Sequence, residues 1–114
     1  MSGKVLLSEG VFSIAQVMVP RNGLALLGAG LGATRLVSAV NDLKFFEADN
    51  VANDPLERVC LSDFTMDGAS RTEQCAIDFR AAIGCTFPRL RVIDMPDQPV
   101  AGGIGAVTLR EYTT

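Results

Sequence analysis

The chain contains no histidine and no tryptophan, and it has a single tyrosine. Without histidine it cannot form a Ser-His-Asp or Cys-His catalytic arrangement, and no histidine can act as a general base or bind a metal ion. The shortage of tryptophan and tyrosine also weakens any aromatic platform for stacking a sugar ring. We expect the six phenylalanines to pack in the core.

Cysteine is scarce as well, with three residues at Cys60, Cys75 and Cys85. An odd number without Cys-x-x-Cys spacing indicates neither a disulfide framework nor a zinc site. We expect the three thiols to be small, buried side chains. The residues predict no metal site and no cofactor.

Basic residues and long apolar runs are also few. The net charge is −3 and the basic residues are scattered, so we expect no nucleic-acid partner. No run reaches the ~18 apolar residues of a membrane span, so no membrane partner is expected. Ser8-Glu9-Gly10 interrupts the first apolar residues too early for the core of a signal peptide, and none is predicted.

The residues that are present indicate one globular domain rich in short strands. The chain has 114 residues, of which 48% are hydrophobic. Its apolar runs are bounded by turn and breaker signals at Pro20, Asn22-Gly23, Pro55 and Asp67-Gly68. Apolar residues in Arg58–Met66 alternate with polar ones around one extra residue, which a corner between two strands would explain.

The second half of the chain matches itself at a shift of about 26 residues. A spacing in this range, with strands and turns and no obvious helix, indicates stacked β-solenoid coils. A shift of about 27 also aligns Ile77 with Ile104. The pairs aligned at the first shift are Val59 with Cys85, Leu61 with Phe87, Phe64 with Leu90, and Met66 with Val92.

A glycine-rich step at Gly28–Ala33 has one interpretation as a dinucleotide fingerprint. It reads G-x-G-x-x-A after an apolar run, and Glu47 and Asp49 lie near the distance expected for a ribose-binding carboxylate. This alternative predicts an α/β, Rossmann-like fold with a helix over Ala33–Leu43. Several residues of that segment are weak helix formers, and Pro55 follows where a second βαβ unit is expected.

The same step carries a family resemblance. Leu27–Leu36 (LGAGLGATRL) resembles a glycine-rich step of the pectate-lyase-superfamily β-helix proteins, which include phage tailspikes and capsule depolymerases. In that family a segment similar to Lys4–Ile14 and a short run similar to Val17–Pro20 come first. A strand pair ending in a D-G turn follows, as in Val59–Gly68, and the next coil often begins like Cys75–Arg80. The segments occur in the same order along most of the chain.

The resemblance implies an all-β fold. Residues 1–114 would form a single short right-handed parallel β-helix (β-solenoid) of about four to five coils, or a fragment of a longer one. The chain departs from full members because it has fewer coils and starts almost directly at the first strand, without their helical cap. Uncovered ends present open strand edges, so we expect a homo-oligomer, a trimer by analogy with tailspikes, or a larger β-helix assembly. By the same analogy, the protein would be virion-associated or extracellular.

Candidate site residues follow from stacking the coils. At the 26-residue shift, Asp67 and Asp94 fall within one position of each other on coils ~4.8 Å apart. Two carboxylates about 5–10 Å apart could act as the acid and the nucleophile or base of a glycosidase. Both aspartates also precede turn segments, where aspartate is a common structural residue. Asp78 would lie on a neighbouring coil face, and three arginines could hold an acidic sugar: Arg80, Arg89 and Arg91.

The expected function is therefore polysaccharide binding or polysaccharide degradation. If the protein is an enzyme, the resemblance implies a glycoside hydrolase or a polysaccharide lyase. One alternative is a purely structural β-helix module of a virion appendage or scaffold, without catalysis. A second alternative is a dinucleotide-binding fragment built on Gly28–Ala33.

Overall fold

The computed structural model describes residues 3–51, 53–95 and 107–110. In these ranges the chain forms twelve β-strands and no helix. The strands are β1 (Gly3–Leu6), β2 (Gly10–Ile14), β3 (Leu24–Leu27), β4 (Thr34–Ser38), β5 (Lys44–Asp49), β6 (Leu56–Glu57), β7 (Cys60–Ser62), β8 (Phe64–Asp67), β9 (Cys75–Arg80), β10 (Ala82–Ile83), β11 (Leu90–Ile93) and β12 (Val107–Arg110).

The all-β prediction is confirmed, and the α/β alternative is wrong. The segment Ala33–Leu43, which that alternative needs as a helix, contains strand β4 followed by a bend. Along β4 the buried residues Thr34, Leu36 and Ser38 alternate with more exposed ones. This period of two is the pattern of a strand, and β-branched Thr34 and Val37 favour it.

All pairings between these strands are parallel, and they form four short sheets. The strand orders are β1-β3-β7, β2-β4-β8-β11, β5-β9-β12 and β6-β10. Parallel neighbours need long connections. In the described residues these connections are irregular and contain corners with left-handed backbone, for example at Asp42, Arg58, Asp63 and Ala81.

Strand register places similar side chains next to one another. In the four-stranded sheet, Phe12 aligns with Leu36, Leu36 with Met66, and Met66 with Val92. Leu36 and Met66 are buried, whereas Phe12 and Val92 on the edge strands are partly buried. The predicted pairings Phe64–Leu90 and Met66–Val92 are confirmed.

The predicted alignment of Ile77 with Ile104 is wrong, because Ile77 pairs with Val107. One constant shift aligns several strand pairs only where the connections between those strands have the same length on both sides of the alignment. The pairing at β9 and β12 has a longer spacing than the pairing at β8 and β11.

The core lies between the sheets and is richest in phenylalanine. Phe45, Phe46, Phe64 and Phe79 are fully buried, and the Phe46 and Phe64 rings lie 6.2 Å apart. The three cysteines form no disulfide bond among the described residues; Cys75 and Cys85 are buried and Cys60 is partly buried. The predicted core role therefore holds for most phenylalanines and for two of the thiols.

Two glycines of the glycine-rich step are explained by the backbone around them. A Cβ atom on Gly28 would lie 2.1 Å from the carbonyl oxygen of Asp63, so no side chain fits there. Gly30 has φ of 146°, a conformation that favours glycine. The glycines thus let neighbouring segments approach and turn, which is the role expected from strand corners and not from a pyrophosphate-binding helix.

Candidate functional site

An arginine-bearing face lies on the outer side of the four-stranded sheet. Arg35 of β4 aligns with Thr65 of β8, and Thr65 aligns with Arg91 of β11. These residues alternate with the buried Leu36 and Met66, so they point away from the core. Neighbouring strands lie ~4.8 Å apart, which places the two arginine backbones about 10 Å from each other. Two cationic side chains therefore flank one buried threonine.

A cleft of about 170 Å³ opens on this face. The glycine-rich turn forms one wall, because Leu31 and Gly32 lie beside the sheet. The Thr65 hydroxyl donates a 2.6 Å hydrogen bond to the Leu31 carbonyl, which fixes that wall to β8. The residues lining the cleft are Leu31, Gly32, Arg35, Thr65, Arg91 and Ile93. We call this feature the arginine cleft.

Asp67 orients one of the two arginines. Its Oδ2 accepts a 2.7 Å hydrogen bond from the Arg35 guanidinium, and its Oδ1 accepts a 2.7 Å hydrogen bond from the Ala69 backbone N–H. The Asp67 carboxylate is largely buried, whereas the Arg35 side chain is half exposed. Arg35 is thus held in place by a buried partner while part of its guanidinium remains accessible.

Arg91 is exposed like Arg35 but, unlike Arg35, has no ion pair among the described residues. An accessible guanidinium has five N–H donors in a planar arrangement that matches a carboxylate or sulfate. The cleft therefore combines one fixed and one uncommitted cation. This arrangement can bind an anionic group through charge-assisted hydrogen bonds.

The two predicted catalytic aspartates lie near each other, as the 26-residue shift predicted. Asp67 pairs with Ile93, the last residue of β11, so Asp94 lies one position past the end of that strand. Asp94 is exposed and has φ of 52°, and its carbonyl accepts a 3.0 Å hydrogen bond from the Ser70 N–H. Both residues make contacts typical of turns, so their catalytic role stays a prediction.

The predicted substrate-binding residues do not form one group. Arg91 lies in the arginine cleft, while Arg80 lies on β9 in a different sheet, 3.4 Å from the Asp49 carboxylate. Arg89 donates two hydrogen bonds to the Asp63 carboxylate, of 2.5 and 3.1 Å. This pairing with Arg89, together with the Ser62 hydroxyl, lowers the pKa of Asp63 below its usual value of 3.8.

Asp78 lies inside the protein and not on the surface. Its side chain is fully buried, and its Oδ2 accepts a 2.7 Å hydrogen bond from the Lys44 ammonium. Lys44 also donates to Glu47 at 3.0 Å. The buried carboxylate has no surface for a bound polymer, so its position disagrees with the predicted substrate contact. The sequence could not reveal this, because aspartate in a short strand is normally a surface residue.

Lys44 borders a second hollow of about 340 Å³, which lies between β5, the connection that follows β2 and the connection that follows β4. Burial alone would lower the pKa of Lys44, but its hydrogen bonds to Asp78 and Glu47 outweigh that effect and raise the pKa above 10.5. Lys44 therefore stays charged at neutral pH and remains engaged with its carboxylate partners. The hollow is lined by Ala15, Gln16, Val17, Val40, Asp42, Leu43, Lys44 and Glu47.

The two buried thiols, Cys75 and Cys85, are poor candidates for nucleophiles. Burial raises the pKa of Cys75 to about 11, and the nearby Asp78 charge acts in the same direction. Burial also raises the pKa of Cys85. Because the thiolate is the reactive form, both side chains are expected to be inert at neutral pH.

Among the residues that line the arginine cleft, sequence analysis predicted only Arg91 as a site residue and missed the other five: Leu31, Gly32, Arg35, Thr65 and Ile93. Arg35 occurs in the glycine-rich step, but it was assigned no role there. Arg35 and Thr65 are 30 positions apart, whereas Thr65 and Arg91 are 26 apart. A search at several spacings, restricted to polar residues between buried neighbours, would have aligned them.

Comparison of the chain with protein-family models, characterised proteins and solved structures yields no match. The described residues include no helix of the length and hydrophobicity that a membrane span requires. Within the same residues, no group of three or more acidic, cysteine or histidine side chains is placed to hold a metal ion.

Proposed function

We propose that this chain is a β-helix module that binds an acidic polysaccharide, with the arginine cleft as its contact site. The single observation that carries the proposal is the placement of Arg35 and Arg91 on either side of Thr65 in an accessible cleft. The chemistry of that cleft supports the acidic ligand, and the resemblance of the sequence to pectate-lyase-superfamily proteins supports a polysaccharide.

The β-helix part of the proposal rests on how the chain revisits its sheets. A first pass contributes β1 and β2, and Met18 then bridges to Phe46. A second pass contributes β3, β4 and β5, and a third contributes β7, β8 and β9. A fourth bridges Cys60 to Thr86 and then contributes β11 and β12. Three sheets that each gain one parallel strand per pass support the proposal of a parallel β-helix with about four coils.

The ligand class follows from size and charge. A cleft of about 170 Å³ is smaller than the ~300–1,000 Å³ of closed small-molecule sites. It suits one acidic ring or one carboxylate of a longer chain that continues across the surface. Arg91 would bind the acidic group directly, while Arg35 would contribute its charge from the position fixed by Asp67.

Binding of an acidic polysaccharide, such as a uronate polymer, to the purified protein tests the proposal. We expect Arg91→Ala to weaken binding about 10-fold or more, since a charge-assisted hydrogen bond contributes about 1.5–3 kcal/mol. Arg21→Ala is the matched control, because Arg21 is an exposed arginine outside the cleft. Isothermal titration calorimetry at low and high salt measures both variants. Equal affinity of the wild type and Arg91→Ala would contradict the proposal.

Catalysis is a separate question with its own assay. If the module cleaves the polymer, new reducing ends or unsaturated products appear, and Asp67→Asn or Asp94→Asn removes them. If the wild type binds without releasing products, the module is a binding protein. If it binds no acidic or neutral polysaccharide, the purely structural alternative becomes the better proposal.

A further inference from the structure

Among the described residues, the two edges of the four-stranded sheet have matching backbone groups that lack a hydrogen-bond partner. Strand β2 forms one edge and β11 forms the other. Gly10 donates its N–H to the Ala33 carbonyl at 2.8 Å, and the Ile14 carbonyl accepts from Ala39 at 2.9 Å. Because N–H and C=O groups alternate sides along a strand, the backbone groups of Val11 and Ser13 face away from β4.

The other edge has the complementary pattern. The Ile93 carbonyl accepts a 3.0 Å hydrogen bond from the Gly68 N–H, so Ile93 faces β8. By the same alternation, the backbone groups of Leu90 and Val92 face away from the sheet. In the described part of the sheet, each edge thus has two residues whose backbone N–H and C=O groups are unpaired, and these two residues are two positions apart in the chain.

The unpaired groups of β11 are in the correct register to bond to β2 of another copy and so extend the sheet. Phe12 of β2 aligns through Leu36 and Met66 with Val92 of β11. In a parallel pair, a residue bonds to the two residues that flank its aligned partner. If Val92 aligned with Phe12 of another copy, its free groups would reach Val11 and Ser13 of that copy, which are the ones left unpaired.

Exposed apolar side chains on β2, on the preceding strand β1 and on the segment after β2 support contact at the β2 edge. Val11 and Leu6 are each 71% exposed and Val19 is 67% exposed, although all three are large hydrophobic residues. Phe12, Ile14 and Met18 are only partly buried and belong to the margin of the core. A strand edge with exposed apolar side chains readily accepts another strand.

We propose that a second copy of this chain docks on the β2 edge through its own β11, so that copies stack head to tail. The occupant is a second copy because the strand direction, the alternation of free groups and the side-chain register all match those of β11. Such a contact joins two different surfaces and does not close on itself, so it produces open-ended stacks. The trimer expected by analogy would instead be a closed assembly of fixed size.

Sedimentation velocity over a hundredfold range of concentration tests the stack. We expect a series of oligomers that grows with concentration. Ser13→Pro removes one free donor without touching the bonds to β4, and should raise the concentration for half-assembly at least tenfold. Val51→Lys is the control, because Val51 is exposed and apolar but lies outside β2 and β11. A monomer at all concentrations, or a discrete trimer, would overturn the proposal.

Cross-linking tests the register directly. In a Cys60→Ser background, Ser13→Cys on one copy and Ile93→Cys on another would lie opposite each other, at a spacing that a disulfide can bridge. Oxidation of the mixed variants should produce covalent dimers, while each variant alone should not. Dimers of the Ser13→Cys variant with itself would mean that two β2 edges meet, which contradicts head-to-tail stacking.

Discussion

Gly28 lies against the backbone of Asp63 on a neighbouring segment. Its N–H donates a 2.8 Å hydrogen bond to the Ser62 carbonyl, and the Gly30 N–H donates to the Asp63 carbonyl at 3.0 Å. These bonds draw the glycine-rich turn onto the start of β8. A side chain at position 28 would occupy the space of the Asp63 carbonyl, so the close approach requires glycine.

Gly28→Ala is therefore expected to destabilise the protein by about 1–3 kcal/mol or more, because the neighbouring backbone must move. Gly32→Ala is the matched control in the same turn, since a Cβ there meets nothing within 4 Å. The difference in urea midpoint between the two variants measures the effect. Equal midpoints would show that the Asp63 backbone yields without cost.

The ion pair between Lys44 and Asp78 connects strands β5 and β9. Lys44 aligns with Cys75 and Glu47 aligns with Asp78, so the lysine reaches diagonally across the two strands. A buried carboxylate is strongly disfavoured without a charged or hydrogen-bonding partner. The contact thus adds charge pairing to a strand pair that otherwise packs through Phe46 and Ile77.

Lys44→Met should destabilise the protein by about 3 kcal/mol, the low end for breaking a buried pair because Lys44 is partly exposed. The pKa of Lys44 is raised in the folded state, so its contribution is complete below pH 10.5 and is lost as the pH rises through the folded pKa. Denaturant titrations of the wild type and Lys44→Met from neutral to alkaline pH measure the difference in the free energy of unfolding.

The stability difference between the wild type and Lys44→Met should stay constant up to about pH 10 and shrink above it. Lys4→Met is a control, because Lys4 is exposed on the edge strand β1. A difference that disappears already at neutral pH would contradict the assignment of the pair.

Burial varies systematically across the whole molecule. All four residues of β1 are exposed, whereas all four residues of β8 and the first five of β9 are buried. Strands β8 and β9 each have neighbours on both sides, while β1 and β2 are edge strands. Stability is therefore expected to be concentrated in the middle of the sheets and to decrease toward the β1 and β2 edges.

Native-state hydrogen exchange should reproduce this gradient. Amides that bond β4 to β8 and β5 to β9 should exchange slowest, by global unfolding, and amides of β1 that bond β3 should exchange fastest. The measurement is made at low protein concentration, so that association at the β2 edge does not add protection. Equal protection of β1 and β8 would mean that the edge strand unfolds only with the whole molecule.

Local patterns in the sequence were sufficient for the strand content and part of the register. Short alternating runs bounded by turn residues determined an all-β chain, and the 26-residue shift predicted the pairs Phe64–Leu90 and Met66–Val92. The strand content depends on neighbouring residues. The two predicted pairs depend on a single spacing, the one between β8 and β11. The position of Asp94 beside Asp67 follows from the same shift.

The sequence by itself thus determined the all-β chain and the register of its best-matched strands. Only the tertiary structure decided that Arg35 meets Thr65 and Arg91, and that Asp78 is buried against Lys44. The physical reason is the variable length of the connections: aligned residues are 24 positions apart from β2 to β4, 30 from β4 to β8 and 26 from β8 to β11. No single period encodes these distances, so contacts across strands appear only when the connections have folded.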